Sequence, residues 1–293
     1  MSNRLCIFGE VLFDHFPDGK SVLGGAPFNV AWHLQAFGQS PNFISRVGDD
    51  AEGQTVRAAM QHWGMDTSSL QTDKIHPTGK VTVEFVDGEP NYDIVRPCAY
   101  DAIEAQLQIS DCAMLYHGSL ALRETASRQA LKQLMACRPK TVFIDVNLRA
   151  PWYQLQQVSD MLHTANWVKL NSDELNLLYP ASKSKLPRAV DFLSEYGLSG
   201  LVVTHGAAGA ELITDNGEHF TVKPEKDIEV VDTVGAGDAF ASVIILGLNK
   251  NWPLDTTLQR AQLFASKLVA NRGATVSDTA FYQHFINQWD LTA

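Results

Sequence analysis

The run Asp232-Thr233-Val234-Gly235-Ala236-Gly237-Asp238-Ala239-Phe240 holds the residues of this chain with the clearest chemical potential. Gly235, Ala236 and Gly237 carry no bulk that would keep an anion from their N–H groups. The apolar stretch after them predicts a helix starting near Asp238, and its positive dipole end would add to the attraction. A carboxylate there competes with a bound phosphate unless it has a task of its own. The task that suits Asp238 is to take the proton of a hydroxyl attacking the phosphate. A glycine-rich turn capped by Asp238 would have the same pattern.

A second glycine cluster, Gly24-Gly25-Ala26-Pro27-Phe28-Asn29-Val30-Ala31, leads into helix-like residues that run to Gly38. Two glycines before a helix beginning around Pro27 let a small polar ligand reach the backbone, and Asn29 offers both a donor and an acceptor in the first turn. A tight turn with Asn29 as cap is the plainer alternative. Asp14 follows the first apolar run, where its carboxylate could accept from two neighbouring hydroxyls of a sugar; a solvated loop aspartate is the competing reading.

The elements that must position these groups follow from the apolar pattern. Short continuous runs at residues 5–8, 43–47, 114–116, 142–146, 167–170 and 201–204 read as strands buried on both faces. Between them, residues 29–37, 53–63, 125–136 and 187–196 carry apolar positions at helical spacing. The alternation predicts an α/β fold with a doubly wound, mostly parallel sheet, whose ligands sit at the carboxyl ends of the strands. Residues 80–96 break the rhythm: they alternate with period two around Asp87-Gly88 and predict an antiparallel hairpin, with residues 11–22 as partner in a small secondary sheet. Without a low-complexity linker, residues 1–293 are expected to form a single domain.

The chain has 293 residues, 45% hydrophobic, enough for a large core. Its net charge of -10 and the lack of a Lys/Arg cluster argue against a nucleic-acid surface, so an anionic ligand must be held by local devices. Cys6, Cys98, Cys112 and Cys137 are far apart, with no CxxC pair, and read as thiols of a reducing compartment. Residues 1–4 lead straight into the first strand with no basic leader or long apolar run, which predicts a cytoplasmic protein without a membrane partner.

The two glycine motifs, in this order and roughly 200 residues apart, resemble the paired signatures of the ribokinase/PfkB sugar kinases, with Gly38 and Gly48 at the later spacings of the first. Val243, where the family usually has a small residue, departs from the pattern. The resemblance implies a ribokinase-like fold with a β lid made by segments of about residues 11–22 and 80–97 over the sugar. It implies Asp238 as base, with the amides of Gly235, Ala236 and Gly237 on the transferring group. Asp14, Gly24, Gly25 and Asn29 match the sugar-contact positions. Asn171-Ser172-Asp173-Glu174 looks like the NxxE motif, in which Glu174 organises Mg²⁺ through water and Asn171 lies near the triphosphate. A first-turn carboxylate facing the helix dipole is the alternative for Glu174. Thr204, Gly206 and Gly209 match the nucleotide loop, with no Walker sequence after them, and Phe264-Ala265-Ser266 and Asn271-Arg272-Gly273-Ala274 match the adenine side. In many members carbonyls near the positions of Asp232 and Val234 hold a monovalent cation such as K⁺.

Asp145-Val146-Asn147-Leu148-Arg149 with Pro151-Trp152, and the segment through Arg96, look most like bacterial fructokinases. The resemblance thus implies an ATP-dependent kinase of a ketose, and the exposed face of the small period-two sheet predicts a dimer through the lid. Ketodeoxygluconate kinases share the Asp-x-Asn-x-Arg pattern, and ribose, nucleosides or a vitamin-like alcohol are further acceptors on this fold. Arg149 and Arg96 are the candidates for an anionic substrate, Arg149 alternatively pairing with Asp145 or a neighbouring acid. A catalytically dead binding module would be expected to show damage at Asp238 or the glycines, and both are intact.

Overall fold

The computed structural model describes residues 4–86, 89–105, 111–180, 187–225 and 229–291. Its strands, in chain order, are β1 (Leu5–Phe8), β2 (Leu12–His15), β3 (Ser21–Gly24), β4 (Asn42–Gly48), β5 (Leu70–Asp73), β6 (Gly79–Val86), β7 (Glu89–Ile94), β8 (Met114–His117), β9 (Thr141–Asp145), β10 (Trp167–Asn171), β11 (Gly200–Thr204), β12 (Ala210–Thr214) and β13 (His219–Val222). The helices are α1 (Ala26–Ala36), α2 (Ala51–His62), α3 (Thr125–Leu134), α4 (Leu155–Leu162), α5 (Ser172–Leu178), α6 (Arg188–Tyr196), α7 (Ala236–Lys250), α8 (Leu254–Leu268) and α9 (Thr279–Gln288).

The large sheet has the order β13-β12-β11-β10-β9-β8-β1-β4-β5. It is parallel from β11 to β5, and β12 and β13 extend it antiparallel at one edge. Strand alternation divides the core in two. Leu5, Ile7, Tyr116 and Phe143 pack with α1, α2, α7, α8 and α9, while Cys6, Phe8, Leu115, Val142 and Ile144 point to the opposite side, with α3 to α6. The chain leaves β1 through α1 toward β4 and leaves β8 through α3 toward β9. The strand order therefore diverges between β1 and β8, and a doubly wound sheet opens its ligand crevice at such a point.

The small sheet has the order β3-β2-β6-β7. The expected hairpin is β6–β7, antiparallel; its turn residues Asp87 and Gly88 lie outside the described residues. Residues 11–22 contribute not one strand but two: β2 pairs with β6 in parallel and with β3 antiparallel. Phe16 and Val22 remain exposed at 36% and 39%.

Asp50 fixes the point where the chain passes into the small sheet. It caps α2 by accepting from Gly53 N at 2.7 Å, and it accepts from Thr78 N at 2.8 Å and Thr78 Oγ1 at 2.7 Å, one residue before β6. Asp50→Ala removes a cap and two further bonds, and is expected to cost roughly 2–3 kcal/mol. Denaturant unfolding measures this. A midpoint equal to the wild type would show that Asp50 does not hold this junction.

Two helix starts aim backbone at the crevice. Gly25 is the residue before α1, at φ +111, and a Cβ there would stand 2.7 Å from the Glu10 carbonyl oxygen. Gly235 is the residue before α7, at φ +78, and a Cβ there would overlap Ala274. Farther along α7, Gly247 lets Thr257 of α8 come close, so the two helices pack as one block behind the crevice.

Candidate active site

The two glycine motifs meet. Asn29, buried in the first turn of α1, donates through Nδ2 to Asp238 Oδ2 at 2.7 Å, across 209 residues of sequence. It therefore does not cap α1: Gly25 occupies the cap position, and no side chain bonds there. From the other side, Asp14 on β2 approaches Gly24, directly before Gly25. A Cβ on Gly24 would stand 3.8 Å from Asp14 Oδ2 and 4.0 Å from Asn29 Oδ1. The Asn29 oxygen has no partner among the described residues, which leaves a buried acceptor beside the two carboxylates.

Helix α7 begins at Ala236, two residues before the expected start, because Gly235 adopts the left-handed conformation and turns the chain into the helix. This changes which amides are available. Ala236 N donates to the Thr233 carbonyl at 3.3 Å, so the middle residue of the expected triplet is spoken for. Among the described residues the N–H groups of Gly235, Gly237 and Asp238 have no acceptor. Asp232 shapes the turn, accepting from Val234 N at 3.0 Å and from Gly273 N at 2.9 Å, which ties it to the 271–274 segment.

The acidic groups here resist ionisation. Burial pushes the Asp238 carboxyl up to about 6, Asp145 adds to the shift, and the Asn29 bond and the charges of Lys169 and Arg149 oppose it. Burial pushes Glu10, two residues after β1, up to about 7, and one of its oxygens has no partner among the described residues. Asp14 is raised too, mainly by burial, with Arg149 opposing. Arg149 is itself exposed, yet its charge reaches all three carboxylates. It does not pair with Asp145, whose two oxygens are held by Lys169 Nζ at 2.9 and 2.8 Å.

On the far side of the crevice, Asn171 caps α5, its Oδ1 accepting from Asp173 N and Glu174 N at 2.9 Å each. Glu174 completes the capping box, accepting from Asn171 N at 2.8 Å and from Leu148 N at 2.7 Å, so it fastens the loop after β9 to the start of α5. Burial leads the rise of its pKa. Each of its oxygens keeps a lone pair beyond these bonds, and one carboxylate with phosphate oxygens and water is a donor set that Mg²⁺ accepts. Thr204 ends β11 beside Ser172 and His205.

Three expected contact residues are engaged elsewhere. Arg96 pairs with Glu124 and lies over the Trp152 ring at 5.7 Å, so its guanidinium braces the end of β7. Gly209 is required by packing, since a Cβ would overlap the Val222 carbonyl of β13. Ser266 is buried in α8 and accepts from Gln262 at 3.0 Å. Conversely, Lys169 and Glu10 were not among the residues singled out. For Lys169 a signal existed: it and Asp145 are charged residues inside two otherwise apolar strand runs.

A family model described as the pfkB family carbohydrate kinase matches residues 6–280. The chain belongs to that family. Fructokinase of Salmonella typhimurium is 30% identical over 299 residues, covering 94% of this chain and 95% of that one. Fructokinase of Escherichia coli is 31% identical over 272 residues, covering 85% of each. Among solved structures, fructokinase of Xylella fastidiosa with bound ATP superposes with a TM-score of 0.86 at 21% identity, over 99% of this chain and 100% of that one. The mostly parallel sheet with its small second sheet is thus the fold of pfkB carbohydrate kinases, as the two glycine signatures imply.

Proposed function

We propose that this chain is an ATP-dependent kinase that transfers the γ-phosphoryl group to a hydroxyl of fructose. The observation that carries the reading is the Asn29–Asp238 bond, which sets a carboxylate between the Asp14–Gly24 corner and the free amides of α7. In this reading Asp14, Gly24, Gly25 and Asn29 hold the sugar and orient one hydroxyl toward Asp238. The base takes the proton as the oxygen attacks phosphorus, and the amides of Gly235, Gly237 and Asp238 receive the negative charge of the transferring group. Asn171, Thr204 and Gly206 border the nucleotide. Mg²⁺, when bound, screens the phosphates, with Glu174 positioning its water. Carbonyls near Asp232 and Val234 take a monovalent cation.

Residues 1–293 act as one domain, with β2, β3, β6 and β7 as a lid over the sugar, and the exposed Phe16 and Val22 support a dimer through that sheet. The protein works in the cytoplasm, consistent with four free thiols. No helix among the described residues is long and apolar enough to cross a membrane.

The pH profile follows from the base. With Asp238 raised to about 6, kcat/KM falls below that pH as the carboxylate is protonated and levels off above it. A profile flat down to pH 5 would contradict this assignment.

Arg149 supports a second acceptor class, because it is exposed, forms no ion pair among the described residues and its charge acts on Asp14. An ADP-release assay with fructose, ribose, ketodeoxygluconate and nucleosides, on the wild type and on Arg149→Ala, separates the two. Fructose should lead, with a loss on Arg149→Ala of less than about tenfold. A preference for the acid, with roughly 2–5 kcal/mol lost in kcat/KM on Arg149→Ala, would replace fructose by a carboxylated sugar.

A further inference from the structure

Lys169 sits in the middle of β10, in a strand whose neighbours Val168 and Leu170 are fully buried. Its register partner on β9 is Asp145, and the two side chains, 7% and 3% exposed, form an ion pair under the start of α7. Two apolar side chains would fill the same space at no electrostatic cost, so a buried pair of this kind is weak as a device for stability alone. Its place is informative. A Cβ on Gly237 would stand 3.5 Å from Lys169 Nζ, so the ammonium lies close to a residue whose amide has no acceptor among the described residues. An ammonium has three N–H groups, and Asp145 takes two of them. The third has no acceptor among the described residues.

The charges around it ask for a cation. Asp145, Asp238 and Glu174 all face Lys169, and Arg149 on the exposed side is the other cation acting on Asp238. A triphosphate brought to the Gly237 amide would meet an already acidic floor. Burial works against the charge of Lys169, but Asp145, Asp238 and Glu174 together outweigh it and hold the group protonated above the usual lysine range.

We propose that Lys169 is a catalytic residue, donating its third N–H to a γ-phosphoryl oxygen in the transition state while Asp145 holds the ammonium in place. This rests on the kinase reading above. In the step, the bond from phosphorus to the β,γ-bridging oxygen breaks and a bond from phosphorus to the substrate oxygen forms. The hydroxyl proton passes to Asp238 and ADP leaves with the bridging electron pair. Lys169 keeps its proton throughout, so its contribution is charge placed where charge moves.

The test uses the full chain and two variants. Lys169→Met leaves Asp145 buried and unpaired, so its loss of activity could reflect misfolding. The double variant Asp145→Asn/Lys169→Met removes both charges together. It should fold with a circular dichroism spectrum and melting temperature near those of the wild type, bind ADP within about threefold, and still lose at least about 100-fold in kcat. In residual activity, the acid limb of its pH profile should also move to lower pH, because the double variant removes the Asp145 charge that raises Asp238 as well as the smaller opposing charge of Lys169. Recovery of kcat to within about threefold of the wild type in the double variant, with the acid limb unmoved, would make the pair structural and overturn the proposal. If the wild type itself released no ADP with any sugar, the kinase reading would fail instead.

Discussion

Replacing Asp238 by asparagine is expected to lower kcat by about two to four orders of magnitude while leaving nucleotide affinity largely intact. The substitution keeps the shape of the side chain and its contact with Asn29 but removes the one group aligned to accept the hydroxyl proton. Two features make this effect larger than that of any single sugar contact. The carboxyl is raised to about 6 by burial, so near neutral pH it is ionised and still basic enough to take a proton. It also stands in the first turn of α7, beside the amides of Gly235 and Gly237, so phosphoryl group and base are placed by one piece of backbone. Steady-state kinetics with saturating sugar measures the loss. A variant within tenfold of the wild type would show that the proton leaves by another route. Asp14→Ala should differ in kind, raising KM for the sugar with little change in KM for ATP.

Gly235→Ala is expected to cost at least about 100-fold in kcat/KM for ATP and to lower stability. Gly235 is at φ +78, where an L-residue pays roughly 1–2 kcal/mol, and its Cβ would overlap both the side chain and the backbone of Ala274. Relief requires α7 to shift against the 271–274 segment, which Asp232 fastens through Gly273 N. Any such shift moves the amides of Gly237 and Asp238 together. Ala236→Ser is the control: its amide is already directed at Thr233, so the loss should stay below about tenfold. Equal effects of the two substitutions would mean that these amides are not the ones that hold the phosphoryl group.

The inner strands were readable because a parallel strand covered on both faces is a continuous apolar run, as in Leu5–Phe8 and in Leu201–Val203 of β11. Edge strands lack that signature. Strand β5 is the polar tetrapeptide Leu-Gln-Thr-Asp, and β13 carries an exposed His219, so neither separates from loop sequence. Gly24, Asn29 and Asp238 were legible because each lies in a motif whose small residues are needed for close approach, and Asp14 because it follows the first apolar run, where ligands of such a sheet sit. What could not be read was competition for partners. Arg96 looks like a free cation until Glu124, 28 residues away, is seen to hold it, and Asp145 looks available to Arg149 until the β9–β10 register delivers Lys169 to it. The start of α7 was misplaced by two residues because a left-handed glycine ends a loop as readily as it continues one.

The central claim is that the groups meeting at Asp238 transfer the γ-phosphoryl group of ATP to a sugar hydroxyl. The most direct measurement incubates the purified protein with fructose, ATP and Mg²⁺ and follows the phosphorus by ³¹P NMR. The γ-phosphorus signal should be replaced by that of a sugar phosphate in step with ADP, and Asp238→Asn should form it slower by about two orders of magnitude or more. ADP appearing with free inorganic phosphate and no sugar phosphate, or equal rates for the two proteins, would contradict the account.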